Sequence, residues 1–118
     1  MRNFKNLEIW NHGIQIVKQV YKLSQKFPAD EKFVLISQIT RAAVSIPSNI
    51  AEGCSRNSDI EFKRFLEIAM GSLFEVETQL IIANELQFLT NEDLLEVNLL
   101  IEKEGRMINS LINKIKIS

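Results

Sequence analysis

The sequence has 118 residues, 46% of them hydrophobic and 25% charged, and its net charge is −1. That length suits one domain able to bury a core without disulfides or metal, and that charge gives the whole molecule no strong pull on a polyanion. The single cysteine, Cys54, excludes an internal disulfide, no apolar run reaches the roughly 18 residues of a membrane span, and Met1-Arg2-Asn3-Phe4-Lys5 leads into no signal-peptide pattern, so a cytoplasmic protein is expected.

Three short breaks divide the chain into four helical segments. The first runs from about Leu7 to Lys26, where Leu7, Trp10, Ile14, Val17 and Tyr21 recur at spacings of 3 and 4 and predict its buried face. Phe27-Pro28 ends it, because the residue before a proline is pushed out of helical angles. The second segment runs from about Glu31 to Glu52, with Asp30 as the expected cap and Leu35, Ile39, Ala42, Ala43, Ile46 and Ile50 as its apolar face. Pro47 interrupts that pattern without ending it, which predicts a kinked helix, and Gly53 is the expected stop.

Ser58-Asp59-Ile60-Glu61 matches a capping box and opens the third helix. Phe62, Leu66, Ala69, Leu73, Val76, Leu80 and Ala83 form its apolar face. Thr90-Asn91-Glu92-Asp93 opens the fourth with a cap and acidic residues at the positive end of the helix dipole. Its apolar face is read as Leu95, Leu99, Ile108, Leu111, Ile112 and Ile115, with Gly105 and Arg106 weakening the middle and Lys114 and Lys116 suiting the end. Helices of this length joined by short loops predict an all-α, antiparallel up-down-up-down four-helix bundle.

Catalytic and metal chemistry find little support. His12 is the only histidine and falls on the polar side of the first helix; Cys54 follows the expected stop and reads as a small filler in a loop. No Gly-rich phosphate loop and no Cys/His metal spacing is present, so no catalytic residue, cofactor or metal is assigned and a non-enzyme is expected.

Three patterns bear on binding. Arg41, Ser45, Asn49 and Glu52 share one flank of the second helix, and Arg64, Ser72, Glu75 and Gln79 make a comparable strip on the third. They read as an interhelix polar network, as a polar ligand or partner site, or as a solvated face. The third helix is also apolar beyond its core side, at Ile68, Met70, Phe74, Ile81 and Ile82, which predicts burial against another subunit or simply a broad core stripe. Lastly, Arg2, Lys5, Lys18, Lys22 and Lys26 make the first 28 residues basic, while Glu85, Glu92, Asp93, Glu96, Glu102 and Glu104 make residues 85–104 acidic. Those charges read as solvated faces, as a phosphate-holding surface when repeated around a ring, or as complementary faces of adjacent subunits.

The stretch Arg41-Ala42-Ala43-Val44-Ser45-Ile46-Pro47-Ser48-Asn49-Ile50-Ala51-Glu52-Gly53 resembles the signature of the 23S ribosomal RNA intervening-sequence protein family, also called the four-helix bundle protein family. Leu7, Trp10, Tyr21, Phe27-Pro28, Phe62, Arg64, Phe65-Leu66, Ala69, Gly71-Ser72-Leu73, Glu75 and Gln79-Leu80 extend the likeness over about residues 4–90. The resemblance implies an antiparallel bundle that assembles into a homopentameric ring. It also implies kinship with proteins encoded inside bacterial ribosomal RNA genes, and with the accessory variability protein of diversity-generating retroelements, which binds a reverse transcriptase and nucleic acid. A homo-oligomer serving as a structural or adaptor module is therefore expected, with RNA binding as the alternative.

Overall fold

The structure, a computed structural model, describes residues 2–115; Lys116 lies outside the described residues. Those residues form four long helices and no strand: α1 (Glu8–Ser24), α2 (Ser37–Cys54), α3 (Asp59–Glu85) and α4 (Leu94–Lys114). No helix is long and apolar enough to cross a membrane. The molecule measures 48 × 24 × 22 Å, and α3, with 27 residues, spans most of the long dimension at about 1.5 Å per residue.

In α1 the chain buries Ile9, Gly13, Ile16, Val20 and Leu23. The stripe expected from the sequence is displaced around the helix: Leu7, Trp10, Ile14 and Val17 are half-buried on a flank, and Tyr21 is 49% exposed. This segment carries a wide apolar arc that supports two registers of 3–4 spacing. The narrower Ile, Val and Gly side chains fit the centre, while Trp10 stays at the rim with its ring edge-on to Phe4 at 5.1 Å.

The path into α2 differs from the expected cap. Pro28 precedes a short 3-10 turn, Ala29–Glu31, followed by a π-helical turn, Lys32–Ile36. Asp30 lies inside the first of these turns and caps nothing; Pro28 holds the entry position, its carbonyl accepting from the Glu31 amide at 2.9 Å. The wider π turn turns Phe33 and Val34 outward, leaving Phe33 86% exposed. From Leu35 onward the sequence pattern holds: Leu35, Ile39, Ala42, Ala43, Ile46 and Ile50 are all buried. Pro47 is buried within the same helix.

Gly53 is not the stop. It lies within α2, and no glycine among the described residues has a positive φ. Its purpose is proximity: a Cβ there would stand 2.8 Å from Phe65 Cβ and 3.2 Å from Phe62 Cδ1. Helix α2 ends one residue later, and Cys54, expected in a loop, is its last residue and is buried.

The cap of α3 forms as read, with the Glu61 amide donating to Ser58 Oγ at 3.1 Å. The reciprocal half differs, because the Glu61 carboxylate accepts from the Ser58 hydroxyl at 3.2 Å instead of from a backbone N–H. All seven expected core residues of α3 are buried. The helix ends in a Schellman turn: the Phe88 amide donates to Ala83 O at 2.9 Å and the Gln87 amide to Asn84 O at 3.0 Å. Gln87 takes the left-handed position, φ 65°, that glycine would occupy more cheaply.

Thr90 and Asp93 then box the start of α4, the Thr90 amide donating to Asp93 Oδ2 (2.9 Å) and the Asp93 amide to Thr90 Oγ1 (3.1 Å). The buried residues of α4 are Leu94, Val97, Ile101, Glu104 and Ile108. Leu95 and Leu99, expected inside, are exposed, Leu99 by 70%. The cause is Glu104: a carboxyl at an inward position broke the apolar count and shifted the apparent face. Gly105 and Arg106 do not interrupt the helix, and a Cβ on Gly105 would meet Leu73 Cδ2 at 3.5 Å.

Helix α1 packs on α2 and α4, and α3 packs on the same two. The Arg2 amide donates to Cys54 O at 3.1 Å, which puts the start of α1 beside the end of α2. Ser45 meets Ser72 and Gln38 meets Gln79 where α3 packs on α2. Glu8 meets Lys103 and Lys26 meets Asp93, which ties α1 to α4 and to the turn before it.

Ile46 and Leu73 are central to this packing, at 0% and 1% exposure. Ile46→Ala or Leu73→Ala is expected to lower the unfolding free energy by about 2–5 kcal/mol in urea titrations, and effects near zero would mean that the helix faces are wrongly placed.

Candidate functional site

The polar flanks of α2 and α3 meet in part. Asn49 Nδ2 donates to both the carbonyl and the hydroxyl oxygen of Ser45, each at 2.8 Å. The Ser45 hydroxyl also hydrogen-bonds across the interface to Ser72 Oγ at 2.8 Å, a bond in which either hydroxyl can donate. A short relay therefore runs Asn49 to Ser45 to Ser72. Two turns further along, Gln79 Nε2 donates to Gln38 Oε1 at 3.3 Å and, at 3.5 Å, to Glu75 Oε2.

Gln38 was missed by sequence reasoning; its place four and seven residues before Ala42 and Ser45 is the spacing that would have found it. Arg41 and Glu75 both line an open depression of about 500 Å³, together with Phe33, Ser37, Gln38, Ala42 and Ser45. Glu52 turns away and pairs at 3.0 Å with Arg56, just beyond the end of α2, and Arg64 is exposed.

The outer side of α3 is apolar in water. Ile68, Phe74, Ile81 and Ile82 are exposed, Phe74 by 60%, and Met70 is half-buried. They form two strips. Met70 and Phe74 border a groove of about 780 Å³ shared with Ile101, Gly105 and Arg106 of α4, and Ile81 follows Phe74 at two helical turns. Ile68 and Ile82, four turns apart, lie toward α2. Gly71 lies between the strips, and a Cβ there would meet nothing within 4 Å. Leu86, Leu95 and Leu99 add to the exposed apolar surface and were not assigned to it from sequence.

The basic residues do not form a single group. Arg2 pairs with Asp59 and lies over the Phe62 ring, 4.0 Å from its centroid. Lys5 lies over Phe4 at 5.9 Å, and Lys26 pairs with Asp93 at 2.5 Å. The Lys26 ammonium, and then the Thr90 amide, hold the Asp93 carboxyl below its ordinary range. Lys18 and Lys22 are exposed with no ion pair among the described residues. Basic and acidic stretches thus meet at Lys26–Asp93 within one chain.

His12 is not on a solvated face. It is half-buried, and its Nε2 donates to the Leu100 carbonyl at 2.9 Å, bridging α1 to α4. At Cys54 burial pushes the thiol up, against a smaller pull from Arg2, which keeps the thiolate scarce at neutral pH. Among the described residues no group of three or more His, Cys, Asp or Glu side chains is placed to hold a metal ion.

The family profile described as 23S rRNA-intervening sequence protein matches residues 5–110. The chain belongs to the 23S rRNA-intervening sequence protein family. A solved structure of another such helical protein, from Bacteroides thetaiotaomicron and described as a protein of unknown function from the S23 ribosomal protein family, superposes with a TM-score of 0.82. It is 23% identical and the likeness covers 90% of this chain and 99% of that one, so it speaks to the fold of the intervening-sequence protein. No curated protein matches the chain.

For this intervening-sequence protein the Ser45–Ser72 bond is the shorter of two polar ties between α2 and α3, the other being Gln38–Gln79. A double-mutant cycle with Ser45→Ala and Ser72→Ala is expected to give a coupling of about 0.5–1.5 kcal/mol in thermal or urea unfolding, whereas additive single effects would remove the relay from the account.

Proposed function

We propose that this intervening-sequence protein is a non-enzymatic, cytoplasmic structural or adaptor subunit. Its four helices form an antiparallel up-down-up-down bundle with α2 bent at Pro47, and copies of the chain assemble through the outer side of α3. The observation that carries the reading is the apolar surface of α3. A helix that buries seven core residues on one side and still presents Ile68, Phe74, Ile81 and Ile82 to water has more apolar surface than one chain can cover. Covering such a surface with a second copy gains about 25 cal/mol per Å² of apolar area, set against the cost of association. Closed symmetric assembly is the commonest way for a single chain to achieve it. The family resemblance favours a ring of five, and a protein partner such as a reverse transcriptase for the finished assembly.

Phosphate binding to RNA is the second reading, and Lys18 and Lys22 favour it. They are exposed, one turn apart, and without an internal partner among the described residues. Arg2, Lys5 and Lys26 support it less, because each already has an acidic or aromatic neighbour in the chain.

Sedimentation velocity at micromolar concentration tests the assembly. The wild type is expected at a multiple of 13.6 kDa, and Phe74→Asp with Ile81→Asp is expected to shift it toward the single chain with its helical circular dichroism unchanged. A wild type that sediments as a 13.6 kDa monomer would end the proposal. In the same preparation, RNA retained at low salt and released steeply as salt rises would favour the second reading.

A further inference from the structure

One ionisable group is buried where α4 meets α1 and α2. Glu104 points inward between Ile101 and Ile108, with 0% of its surface exposed. Neither of its carboxyl oxygens has a hydrogen-bond partner. Space for it comes from Gly13 on α1, where a Cβ would stand 3.2 Å from Glu104 Oε2 and 3.6 Å from both Ile46 Cγ2 and Pro47 Cβ of α2. The gap left by Gly13 is therefore walled by Ile46, Pro47 and the Glu104 carboxyl.

Nothing in these walls favours a negative charge. Helix α2 contributes an aliphatic side chain and a proline, which has no N–H to donate. Helix α3 meets this part of α4 through Leu73, against Gly105. Helix α1 brings two of its titratable groups to this end of its contact with α4. His12 is engaged with the Leu100 carbonyl, and Glu8 is a second carboxylate whose field opposes ionisation. On α4 itself the neighbouring cation, Lys103, lies 3.8 Å from Glu8, and no ion pair reaches Glu104. An unpaired carboxylate in such a place costs several kcal/mol, whereas the neutral acid costs far less.

We propose that Glu104 is a proton-operated latch between α4 and the α1–α2 pair: packed in the core as the neutral acid, and forced toward water when it ionises, loosening α4. The direction of the proton linkage agrees with the geometry. Burial, and then the Glu8 carboxylate, push Glu104 up to about 8 from an ordinary value of 4.5. Between those two values the folded chain holds a proton that the unfolded chain has lost. Stability therefore falls as pH rises through that window, and below it the group contributes no pH dependence.

The side-chain carboxyl carbon of Glu104, followed by ¹³C NMR in the intact chain, is expected to titrate well above 7. A midpoint near 4.5 would overturn the proposal. Glu104→Gln keeps the shape and removes the charge, so its melting temperature should lack the downward trend between pH 5 and 9 expected of the wild type; the same slope in both would overturn it as well. For the latch, amide exchange of residues 94–114 is compared between wild type and Glu104→Gln at the same pH. One pH unit above the midpoint the neutral fraction has fallen about tenfold, and α4 should open about tenfold more often in the wild type. Equal protection in the two proteins at that pH contradicts local release of α4. Should the glutamine variant fail to fold, the wild-type titration alone decides whether the carboxyl is held neutral.

Discussion

Small residues let α2 and α3 lie close together, and the rest of the molecule depends on that approach. Ala42, Ala43 and Gly53 on one helix and Ala69 and Ser72 on the other are all buried. Gly53 admits Phe65 at a distance that real Cβ atoms essentially never show, and Phe62 at one that few do. Ile39, Ile46 and Ile50 then pack with Leu66, Leu73, Val76 and Leu80 in one continuous core. Side chains at this density tolerate neither voids nor extra methyl groups, so the pair acts as a fixed template for α1 and α4. Ser45–Ser72 and Gln38–Gln79 add direction to a contact that aliphatic burial alone would leave free to slide.

That template also explains which parts of the fold were legible in the sequence. Helices α2 and α3 each carry one dense aliphatic stripe, and every residue assigned to those stripes is buried. Helix α1 has an apolar arc wide enough for two registers, and composition alone does not say that Trp10 and Tyr21 belong at the rim. Helix α4 hides its register because its central inward residue is Glu104, an exception that only the Gly13 gap opposite makes tolerable. Gly53 reads as a stop because a sequence does not distinguish a glycine needed for its φ from one needed for close approach. The π turn at Lys32–Ile36 has no pattern of its own, so Phe33 as an exposed aromatic could not be foreseen.

The candidate surfaces were legible to different degrees for the same reason. Ser45, Asn49 and Ser72 stand at helical spacing beside the seam, and the structure joins them. Glu52 and Arg64 share that spacing, but Glu52 turns to Arg56 and Arg64 to solvent. In the basic stretch, three-dimensional pairing changes the meaning of the charges. Arg2 fastens the N-terminal segment to the start of α3 through Asp59, and Lys26 fastens the end of α1 to the start of α4 through Asp93. Exposed ion pairs contribute at most about 1 kcal/mol, yet they remove two of five cations from the set available to a phosphate backbone. Complementarity that would otherwise have joined neighbouring subunits is partly spent inside one chain.

Besides Lys18 and Lys22, a set of apolar side chains remains unpartnered on the side of α3 that the template turns to water. Hydroxyl-radical footprinting of the native protein measures that surface residue by residue. If copies of the chain cover it, Ile68, Phe74, Ile81 and Ile82 react slowly in concentrated solution and faster on dilution, while exposed side chains elsewhere do not change. If those four residues react at the rate of freely exposed side chains at every concentration, the surface is bare and the account of this protein as an assembling subunit is wrong.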